Sequence, residues 1–323
     1  MEDNGAFGMG NYSIQFKKSS KHPKVSILLV TYNHEKYISE ALDCILIQNV
    51  DFNYEVIVAD DFSTDHTLEI VEKYRDKRPD IFFILNSVKN VGITKNYQRG
   101  FKACSGEYIA VLEGDDYWTS PFKLKKQVEF LDNHRECVLT FNRFVVFDMD
   151  SKRQNVQPWP VNDDFQYIMV TDLVKDNFIG NFSTCVYRTD VIKKIDDSLY
   201  DLTVYDWMLN IVVAQQGLIG YIPDVMSVYR LHSAGTWTQK SQNEKIQDTI
   251  NLMEVYDKYL EYKYTAEFSE HKNRLSAMLH PVDAVVEQRK VLFKHKIQNY
   301  IPPIIIMLLK LLLPPKIKNI ISK

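Results

Sequence analysis

Short apolar runs alternate with amphipathic segments through the first third of the chain. Four runs are apolar almost without interruption, as is typical of strands buried on both faces: 25–30, 54–59, 81–85 and 108–112. The segments between them place apolar side chains at helical spacing and predict three helices, over 37–46, 68–74 and 94–103. Strand and helix alternating at this spacing indicate a parallel sheet with right-handed crossovers, and therefore an α/β fold.

The second half of the chain is less regular. Segments 137–147, 182–188 and 220–229 predict further strands, segment 205–214 predicts a helix, and 151–164 is a polar loop. A helical region follows from about residue 241. We therefore expect a Rossmann-like, mostly parallel sheet flanked by helices, with a C-terminal helical extension. The predicted divisions are a flexible leader (1–23), one main domain (24–240) and a helical C-terminal region (241–323).

Composition and charge exclude several classes of protein. With 45% hydrophobic and 25% charged residues, the chain is neither collagen-like nor of low complexity, and it is not fully disordered. Its formal net charge is −3, but residues 289–323 contain eight Lys or Arg and no Asp or Glu, which leaves −11 on the rest. An acidic body lacks the basic footprint of a general nucleic-acid binder, so we expect no nucleic-acid partner.

The cysteines and the N-terminal sequence indicate the cellular compartment in which the protein is expected. Cys44, Cys104, Cys137 and Cys185 form no C-x-x-C pair, so a zinc site is not expected. Each stands in an apolar stretch, which favours buried free thiols in a reducing compartment. No apolar run precedes Pro23, so the sequence predicts no signal peptide and a cytoplasmic protein.

Polar clusters follow three of the four predicted strands. They comprise residues 31–34, 60–65 and 113–116. In open α/β sheets the ligand binds beyond the carboxyl ends of the strands, so we expect these three loops to converge on one crevice.

Asp60 and Asp61 close the second strand. Ser63 and Asp65 follow just before a helix, and one of them is expected to cap its first turn. Capping does not require two further acids on the strand end, where like charges repel. A ligand with paired donors, such as the N3–H of a uracil or a ribose hydroxyl, explains a carboxylate there. We favour a binding role for Asp61 and leave both interpretations open for Asp60.

Glu113, Asp115 and Asp116 put three acids within four residues at the end of the fourth strand. Three unneutralised carboxylates raise one another's pKa values. A hard divalent cation, magnesium or manganese, relieves this, and such ions are held by carboxylates together with substrate phosphates. The alternative is a solvated acidic turn before Pro121. We favour a metal site.

Three signals are weaker when taken alone. Lys95 or Arg99, near the start of a helix, suits a diphosphate, but a solvated helical face explains them equally well. Asp206 at the start of another helix is usually a cap or a partner of the helix dipole. Arg230 and His232 precede a Gly-containing loop, and such a basic pair suits a loop that closes over phosphates.

Together these motifs resemble a family 2 glycosyltransferase. The resemblance covers residues 23 to about 237 and rests on several features in order. They are the strand with Thr-Tyr-Asn at 31–33, Asp60-Asp61, Asn90-x-Gly92, Gly106-Glu-Tyr108, Glu113-Gly-Asp-Asp116, the acid before Trp207 and the Tyr-Arg-x-His segment at 229–232.

The resemblance implies a GT-A fold, a nucleotide-diphosphate sugar donor and a divalent metal. Residues 24–120 would form the nucleotide-sugar-binding half and 121–240 the acceptor half. The donor site would include residues from several of these motifs: Thr31, Tyr32, Asn33, Asp60, Asp61, Lys95, Asp115, Arg230 and His232. Within it, Asp61 would contact the base, and His232 would lie on a flexible loop near the diphosphate.

The same resemblance assigns the chemistry. Asp115 and Asp116 match the acidic metal-binding motif, with Glu113 standing where the family often has Asp, and Asp206 matches the catalytic base. The implied reaction inverts the anomeric carbon. The implied donor is a UDP-sugar, and the acceptor is a saccharide or lipid-linked saccharide in surface-polysaccharide assembly. Lys95 replaces an Arg and Tyr205 a Glu of the family pattern, so Asp206 lacks its usual acidic neighbour.

The tail from about 289 to 323 is both basic and apolar. Its most apolar part, 301–313, is shorter than a membrane-spanning helix and contains Lys310. This pattern favours an in-plane helix on anionic lipid, at the inner face of the cytoplasmic membrane. Packing on the protein's own core, or a subunit contact, is the alternative.

Three other functions are alternatives to a glycosyltransferase. A sugar-phosphate nucleotidyltransferase needs a Gly-rich basic loop after the first strand, and 31–35 is not one. A dinucleotide-dependent dehydrogenase needs a G-x-G-x-x-G motif, which is missing there as well. A non-catalytic sugar-binding or nucleotide-binding module stays open, and it would tolerate loss of Asp206 without losing the donor.

Overall fold

A computed structural model describes residues 22–85, 87–158, 165–233, 235 and 238–279. The predicted leader, apart from His22 and Pro23, and the predicted basic tail lie outside these residues.

Strands and helices alternate through the first half, as the apolar pattern predicts. The strands are β1 (Val25–Thr31), β2 (Tyr54–Asp60), β3 (Phe82–Leu85), β4 (Tyr108–Glu113), β5 (Tyr117–Trp118), β6 (Cys137–Asp148), β7 (Gln154–Val156), β8 (Gln166–Ile168), β9 (Cys185–Arg188) and β10 (Leu218–Leu231). The helices are α1 (Ile38–Leu46), α2 (Thr67–Lys77), α3 (Ile93–Ala103), α4 (Lys123–Asn133), α5 (Val170–Lys175), α6 (Thr189–Ile192), α7 (Asp206–Ala214), α8 (Gln242–Tyr259) and α9 (Thr265–Leu279). Two 3₁₀ turns span Phe182–Thr184 and Asp197–Asp201.

One mixed sheet runs through the molecule in the order β3-β2-β1-β4-β9-β6-β10-β5. β1 pairs in parallel with β2 and β4, and β2 pairs in parallel with β3. β9 is antiparallel to both β4 and β6, and β5 is antiparallel to β10. The predicted α/β class and mostly parallel core are confirmed, and the antiparallel insertion of β9 joins the two halves of the sheet.

The sheet is covered on both faces, which explains why its strands are apolar throughout. Every residue of β1 is buried. Alternate side chains of β1 enter two separate cores, with Leu28 in one and Ile27 and Leu29 in the other. Neither face of the central strands meets water, as the continuous apolar runs predict.

Several predicted elements differ in detail from the observed ones. The predicted strand 182–188 is a 3₁₀ turn followed by β9, and the predicted loop 151–164 contains the short strand β7. The capping candidate Asp65 accepts a hydrogen bond from the N–H of Thr67, the first residue of α2, at 2.9 Å. All four cysteines are buried and free, as expected.

The C-terminal helices pack on the main domain. α8 begins with a capping box, in which Oγ of Ser241 accepts from the N–H of Glu244 and the Glu244 carboxylate accepts from the N–H of Ser241. Tyr256 of α8 and Phe268 of α9 both contact the ring of Trp207 on α7. The predicted helical extension is thus observed as far as residue 279. None of the described helices is long and apolar enough to cross a bilayer.

Candidate active site

Three polar loops meet at the carboxyl ends of β1, β2 and β4. β1 lies between the other two strands, and the register places Thr31 beside Asp60. The N–H of Asp61 donates to the carbonyl of Thr31 at 2.9 Å, and the N–H of Gly114 donates to the carbonyl of Val30 at 2.8 Å. The predicted convergence of these loops at one edge of the sheet is therefore confirmed.

Close packing of the first and third loops requires glycine at position 114. A Cβ on Gly114 would lie 2.7 Å from Oγ1 of Thr31 and 2.8 Å from Nδ1 of His34. These two atoms are themselves 3.3 Å apart. A larger residue would push the acidic loop away from the end of β1.

Asp61 organises the loop that begins α3. Its two carboxylate oxygens accept hydrogen bonds from the N–H groups of Val91 at 2.8 Å and Gly92 at 2.9 Å. Gly92 has a φ of 84°, a conformation that favours glycine. The structure thus joins the Asp61 and Asn90-x-Gly92 motifs. Contact between Asp61 and a nucleobase stays a prediction.

Side-chain hydrogen bonds join the first two loops. Asp60 accepts from the N–H of Ser63 at 2.9 Å and also from its hydroxyl. That hydroxyl accepts from the N–H of Asn33 at 2.9 Å, and Oδ1 of Asn33 accepts from the N–H of Thr64 at 2.8 Å. Asp60 and Asn33 therefore shape the loops. The neighbouring Tyr32 is 43% exposed, and its contact with a donor stays a prediction.

The surroundings of two acids of the third loop, Glu113 and Asp116, disfavour their ionised forms. Oε1 of Glu113 accepts from the hydroxyl of Tyr97 at 2.8 Å. Burial, and then the charges of Asp116 and Asp115, raises the pKa of Glu113 well above its usual range. Burial and the charge of Asp115 also raise the pKa of Asp116. A nearby cation would favour the ionised form of both groups.

Both carboxylate oxygens of Asp116 accept hydrogen bonds from other protein groups. Its side chain is fully buried, Oδ2 accepts from the hydroxyl of Ser183 at 2.6 Å, and Oδ1 accepts from the N–H of Arg230 at 3.0 Å. These bonds join the acidic loop to β10 and to the turn before β9. Because both oxygens have protein partners, Asp116 is the least available of the three predicted metal ligands.

Asp115 lies between two histidines. Nε2 of His232 is 3.0 Å from Oδ2 of Asp115, and Nε2 of His34 is 3.7 Å from the same oxygen. Burial alone would raise the pKa of this carboxyl, but the charge of His34 and the hydrogen bond from His232 hold it below its usual value. The Asp115 side chain is 19% exposed, so this acid is both partly accessible and ionised.

The donor set of this loop fits a divalent cation. Carboxylate oxygens are the ligands that magnesium and manganese prefer, and Asp115 and the partly exposed Glu113 both offer them. The raised pKa of Glu113 records crowding of negative charge that a cation would relieve. Among the described residues, no group of three or more metal-ligating side chains is already assembled.

Arg230 is buried and supports the acidic loop from β10. One guanidinium nitrogen donates to the carbonyl of Asp115 at 2.7 Å, and another pairs with Glu40 of α1. The guanidinium carbon lies 4.3 Å from the ring centre of Tyr117 and 5.4 Å from that of Tyr37. Arg230 was predicted to bind the nucleotide sugar. In this structure it contacts protein groups, and its contact with a donor stays a prediction.

The other two predicted basic residues differ in their surroundings. The ring of His232 packs 4.6 Å from that of Tyr37, and its buried Nδ1 has no hydrogen-bond partner in the described part of the chain. Lys95 forms an exposed ion pair with Asp201 at 2.7 Å. An exposed pair is worth at most about 1 kcal/mol, so Lys95 is weakly held.

Asp206 is the first residue of α7. Nδ2 of Asn177 donates to Oδ2 of Asp206 at 3.3 Å. Burial raises the pKa of Asp206, and the bond from Asn177 opposes this effect. Ser183, six residues after Asn177, accepts from the N–H of Glu113 at 3.1 Å. The charge of Asp206 also contributes a little to the raised pKa of Glu113, so Asp206 lies near the acidic loop. The structure therefore brings the predicted base and the acidic loop together.

Sequence reasoning missed four residues that contact the site: His34, Glu40, Asn177 and Ser183. His34 stands inside the 31–34 loop, and a histidine beside a strand end was a usable signal. The other three contact residues that lie 29 to 190 positions away in the chain. No local pattern identifies such partners.

Comparison with known families gives a match, which covers about half of the chain. The family model described as glycosyl transferase family 2 matches residues 26–196. An uncharacterized protein of Mycobacterium tuberculosis is 38% identical over 214 residues, which are 66% of this chain and 60% of that protein. The chain thus spans about three fifths of the length of this relative.

Relatives with named activities are more distant. The poly(ribitol-phosphate) beta-N-acetylglucosaminyltransferase TarS of Staphylococcus aureus is 32% identical over 196 residues, covering 56% of this chain and 32% of TarS. A solved structure of TarS residues 1–349 with UDP-GlcNAc has a TM-score of 0.57 at 23% identity and covers 78% of this chain and 72% of that one. The mannosyltransferase PcManGT of Pyrobaculum calidifontis, solved with GDP-Man and Mn²⁺, has a TM-score of 0.51 at 16% identity, with 84% and 81% covered. These likenesses confirm the predicted GT-A-type fold.

Proposed function

Because the chain belongs to glycosyl transferase family 2, we propose that it transfers a sugar from a nucleotide-diphosphate donor to an acceptor hydroxyl, with inversion at the anomeric carbon. The observation that carries the proposal is the position of Asp206. This partly buried carboxyl accepts from Asn177, and its charge acts on Glu113, which stands with Asp115 at the end of β4. Asp206 is thereby available as the base, while Glu113 and Asp115 are the carboxyls that would face the leaving group.

In this proposal Asp206 accepts the proton of the attacking hydroxyl. The acceptor oxygen forms its bond to the anomeric carbon while the bond from that carbon to the diphosphate oxygen breaks. The diphosphate leaves with the electron pair, and the hydroxyl proton passes to Asp206. A single displacement of this kind inverts the centre. The raised pKa of Asp206 suits a base, because it brings the carboxyl closer to neutral pH.

Asp115 and Glu113 are the residues proposed to hold magnesium or manganese. When bound, the cation would stabilise the negative charge that develops on the departing diphosphate. His232 and His34 keep Asp115 ionised, and Arg230 fixes its backbone. The Mn²⁺ in the solved PcManGT complex supports a metal-dependent reaction.

A UDP-sugar is the donor we propose, bound mainly by the half of the domain that spans 24–120. Tyr32 and Phe62 are 43% and 46% exposed at the ends of β1 and β2, where aromatic rings suit contact with a nucleobase. Asp61 and Gly92 stand between them and α3. The UDP-GlcNAc in the solved TarS complex supports this choice of nucleotide.

The acceptor we propose is a saccharide or lipid-linked saccharide in polysaccharide synthesis, held by the 121–240 half. TarS is named for a poly(ribitol-phosphate) acceptor, which supports a polymeric acceptor here. The basic, apolar segment 289–323 would bring the enzyme to the inner face of the cytoplasmic membrane. The support for this last step is the sequence pattern, because the segment lies outside the described residues.

The test is release of nucleotide diphosphate from a panel of donors. The purified full chain is incubated with manganese, a bacterial lipid extract and, in turn, UDP-Glc, UDP-GlcNAc, UDP-Gal and GDP-Man. We expect metal-dependent release from one UDP-sugar and a loss of about 10²-fold or more in Asp115→Asn. Asp190→Asn, an exposed acid paired with Lys194, is the matched control and should retain full activity.

Absence of release from every donor would contradict the transferase proposal. If a donor binds without being turned over, the protein is a sugar-binding or nucleotide-binding module.

A further inference from the structure

The segment 177–183 runs from the proposed base to the acidic loop. At one end, Nδ2 of Asn177 donates to Oδ2 of Asp206 at 3.3 Å. At the other, the hydroxyl of Ser183 donates to Asp116 at 2.6 Å and accepts from the N–H of Glu113 at 3.1 Å. This short piece of chain therefore spans the site at which an acceptor would meet the donor.

Two asparagines of this segment have buried polar atoms with unmet hydrogen bonds. Within the described residues, Oδ1 of Asn177 and both Oδ1 and Nδ2 of Asn181 have no partner. Asn181 is only 4% exposed. Buried amide groups are almost always paired, because an unmet one destabilises the fold. Three unmet atoms within five residues indicate that this segment serves a polar ligand.

The chemistry of the segment selects the kind of ligand. An amide offers both a donor and an acceptor, which matches a hydroxyl group, itself both donor and acceptor. The carboxylate of Asp206 lies next to Asn177 and would repel a phosphate or a carboxylate. An uncharged compound with several hydroxyl groups therefore fits best.

We propose that Asn177 and Asn181 form a hydroxyl-binding subsite for the acceptor. Asn177 orients the carboxylate of Asp206 through its Nδ2–H and accepts, at Oδ1, a hydrogen bond from a hydroxyl next to the attacking one. Asn181 binds a further hydroxyl. The acceptor class is accordingly a saccharide or polyol with neighbouring hydroxyls. The inference rests on the proposed function only in giving Asp206 the role of base.

The first test measures the contact between Asn177 and Asp206 without any turnover. In protein labelled with ¹³C-aspartate, the carboxyl resonance of Asp206, assigned through Asp206→Asn, is followed against pH in the wild type and in Asn177→Leu. Loss of the N–H donor should move the titration of Asp206 to higher pH. Asn251→Leu, an exposed substitution on α8, should leave it in place.

Other titratable groups interact electrostatically with Asp206, and these variants leave all of them in place: Glu113, Cys185, Tyr187, Tyr229 and Tyr256. Asn177→Ala removes the same N–H with a smaller side chain and adds no charge, which keeps the test valid if Asn177→Leu does not fold. It too should move the titration to higher pH. An unchanged titration in the folded variants would overturn the positioning role.

The second test measures the subsite directly. Side-chain ¹⁵N amide resonances of Asn177, Asn181 and Asn251 are followed while methyl β-glucoside, glycerol or 2-propanol is added, with and without UDP and Mn²⁺. We expect saturable shifts at Asn177 and Asn181 with methyl β-glucoside or glycerol, and none at Asn251 or with 2-propanol. Absence of shifts at Asn177 and Asn181 under both conditions would overturn the subsite. Because neither test needs catalysis, failure of the donor assay leaves both readable.

Discussion

Nε2 of His232 lies 3.0 Å from Oδ2 of Asp115, across 117 positions of the sequence. This contact joins the end of β10 to the acidic loop that follows β4. It also helps to hold the partly exposed Asp115 in its ionised form, next to two acids, Glu113 and Asp116, whose pKa values are raised. The site thus keeps one carboxylate charged by surrounding it with histidines.

Replacement of His232 by alanine should narrow the pH range of activity. Asp115 must be ionised to bind a cation, and His232 helps to lower its pKa. Without the histidine that pKa rises, so metal-dependent release of nucleotide should be lost at a higher pH as the solution is acidified. The measurement is the pH profile of kcat/KM in manganese. His66→Ala, at an exposed histidine paired with Glu69, is the control, and identical acid limbs in all three proteins would refute the coupling.

Arg230→Lys should weaken the acidic loop while keeping the positive charge. Lysine has no planar fork to contact both Glu40 and the carbonyl of Asp115, and it stacks poorly on Tyr117. We expect a loss of about 1–3 kcal/mol in the free energy of unfolding, together with a higher KM for the donor. Urea unfolding and donor kinetics measure both. Arg75→Lys, at an exposed arginine, should change neither, and a wild-type KM in Arg230→Lys would show that the loop does not depend on the guanidinium.

The buried Lys123 of α4 makes the free energy of unfolding depend on pH above about 7. Its side chain is fully buried, its Nζ donates to Oε1 of Gln127 at 2.6 Å, and burial lowers its pKa from 10.5 to about 7. Between these values the unfolded chain binds a proton that the folded chain does not. The free energy of unfolding should therefore rise with pH, by roughly 1 kcal/mol per pH unit from this group.

Lys123→Met should remove that dependence and stabilise the protein near neutral pH, because methionine loses no charge on burial. Urea unfolding from pH 7 to pH 10 measures the slope. Lys126→Met, which removes an exposed lysine one turn along the same helix, should retain the wild-type slope. Equal slopes in all three proteins would mean that Lys123 is not buried as a neutral amine.

Asp61→Asn should loosen the start of α3. Asparagine replaces one acceptor oxygen by an NH₂ group, so one of the N–H groups of Val91 and Gly92 loses its partner. We expect faster hydrogen exchange at these two amides and a loss of about 1–3 kcal/mol in stability. Asp76→Asn, an exposed acid on α2, is the control. Unchanged exchange at Val91 and Gly92 would contradict this role of Asp61.

Membrane association through residues 289–323 should depend on salt and on anionic lipid. The full chain should sediment with vesicles that contain phosphatidylglycerol but not with neutral phosphatidylcholine vesicles, and added salt should release it. Replacing Lys310, Lys316 and Lys318 by glutamate should abolish the binding. A substitution of three exposed lysines elsewhere, Lys73, Lys77 and Lys102, controls for net charge. Equal binding of both variants would favour the packing alternative for the tail.

The sequence predicts the first half of the fold well because its strands are buried on both faces. β1 and β4 read as continuous apolar runs, and their polar ends identify the crevice without further information. Even in the first half of the chain, the pattern of apolar and polar residues does not predict which side chains of α4 are buried. It buries Lys123 and Gln127, two side chains that any polarity rule assigns to the surface.

The second half and the site partners depend on contacts that no local pattern encodes. β9 lies antiparallel between β4 and β6, so the chain order does not reveal its place in the sheet. Asp116 looks like a metal ligand in the sequence because its neighbours are acids. Only the tertiary contact with Ser183 shows that both its oxygens have protein partners.

The most direct test of the account is the effect of Asp206→Asn on kcat, compared with its effect on donor binding. With the donor found by the panel, we expect kcat to fall by about 10²–10⁴-fold, because the hydroxyl proton then has no base to accept it. The Kd for UDP, measured by calorimetry with manganese, should stay at the wild-type value. A variant that retains the wild-type kcat would contradict the assignment of Asp206 as the base, and with it the proposed use of this site.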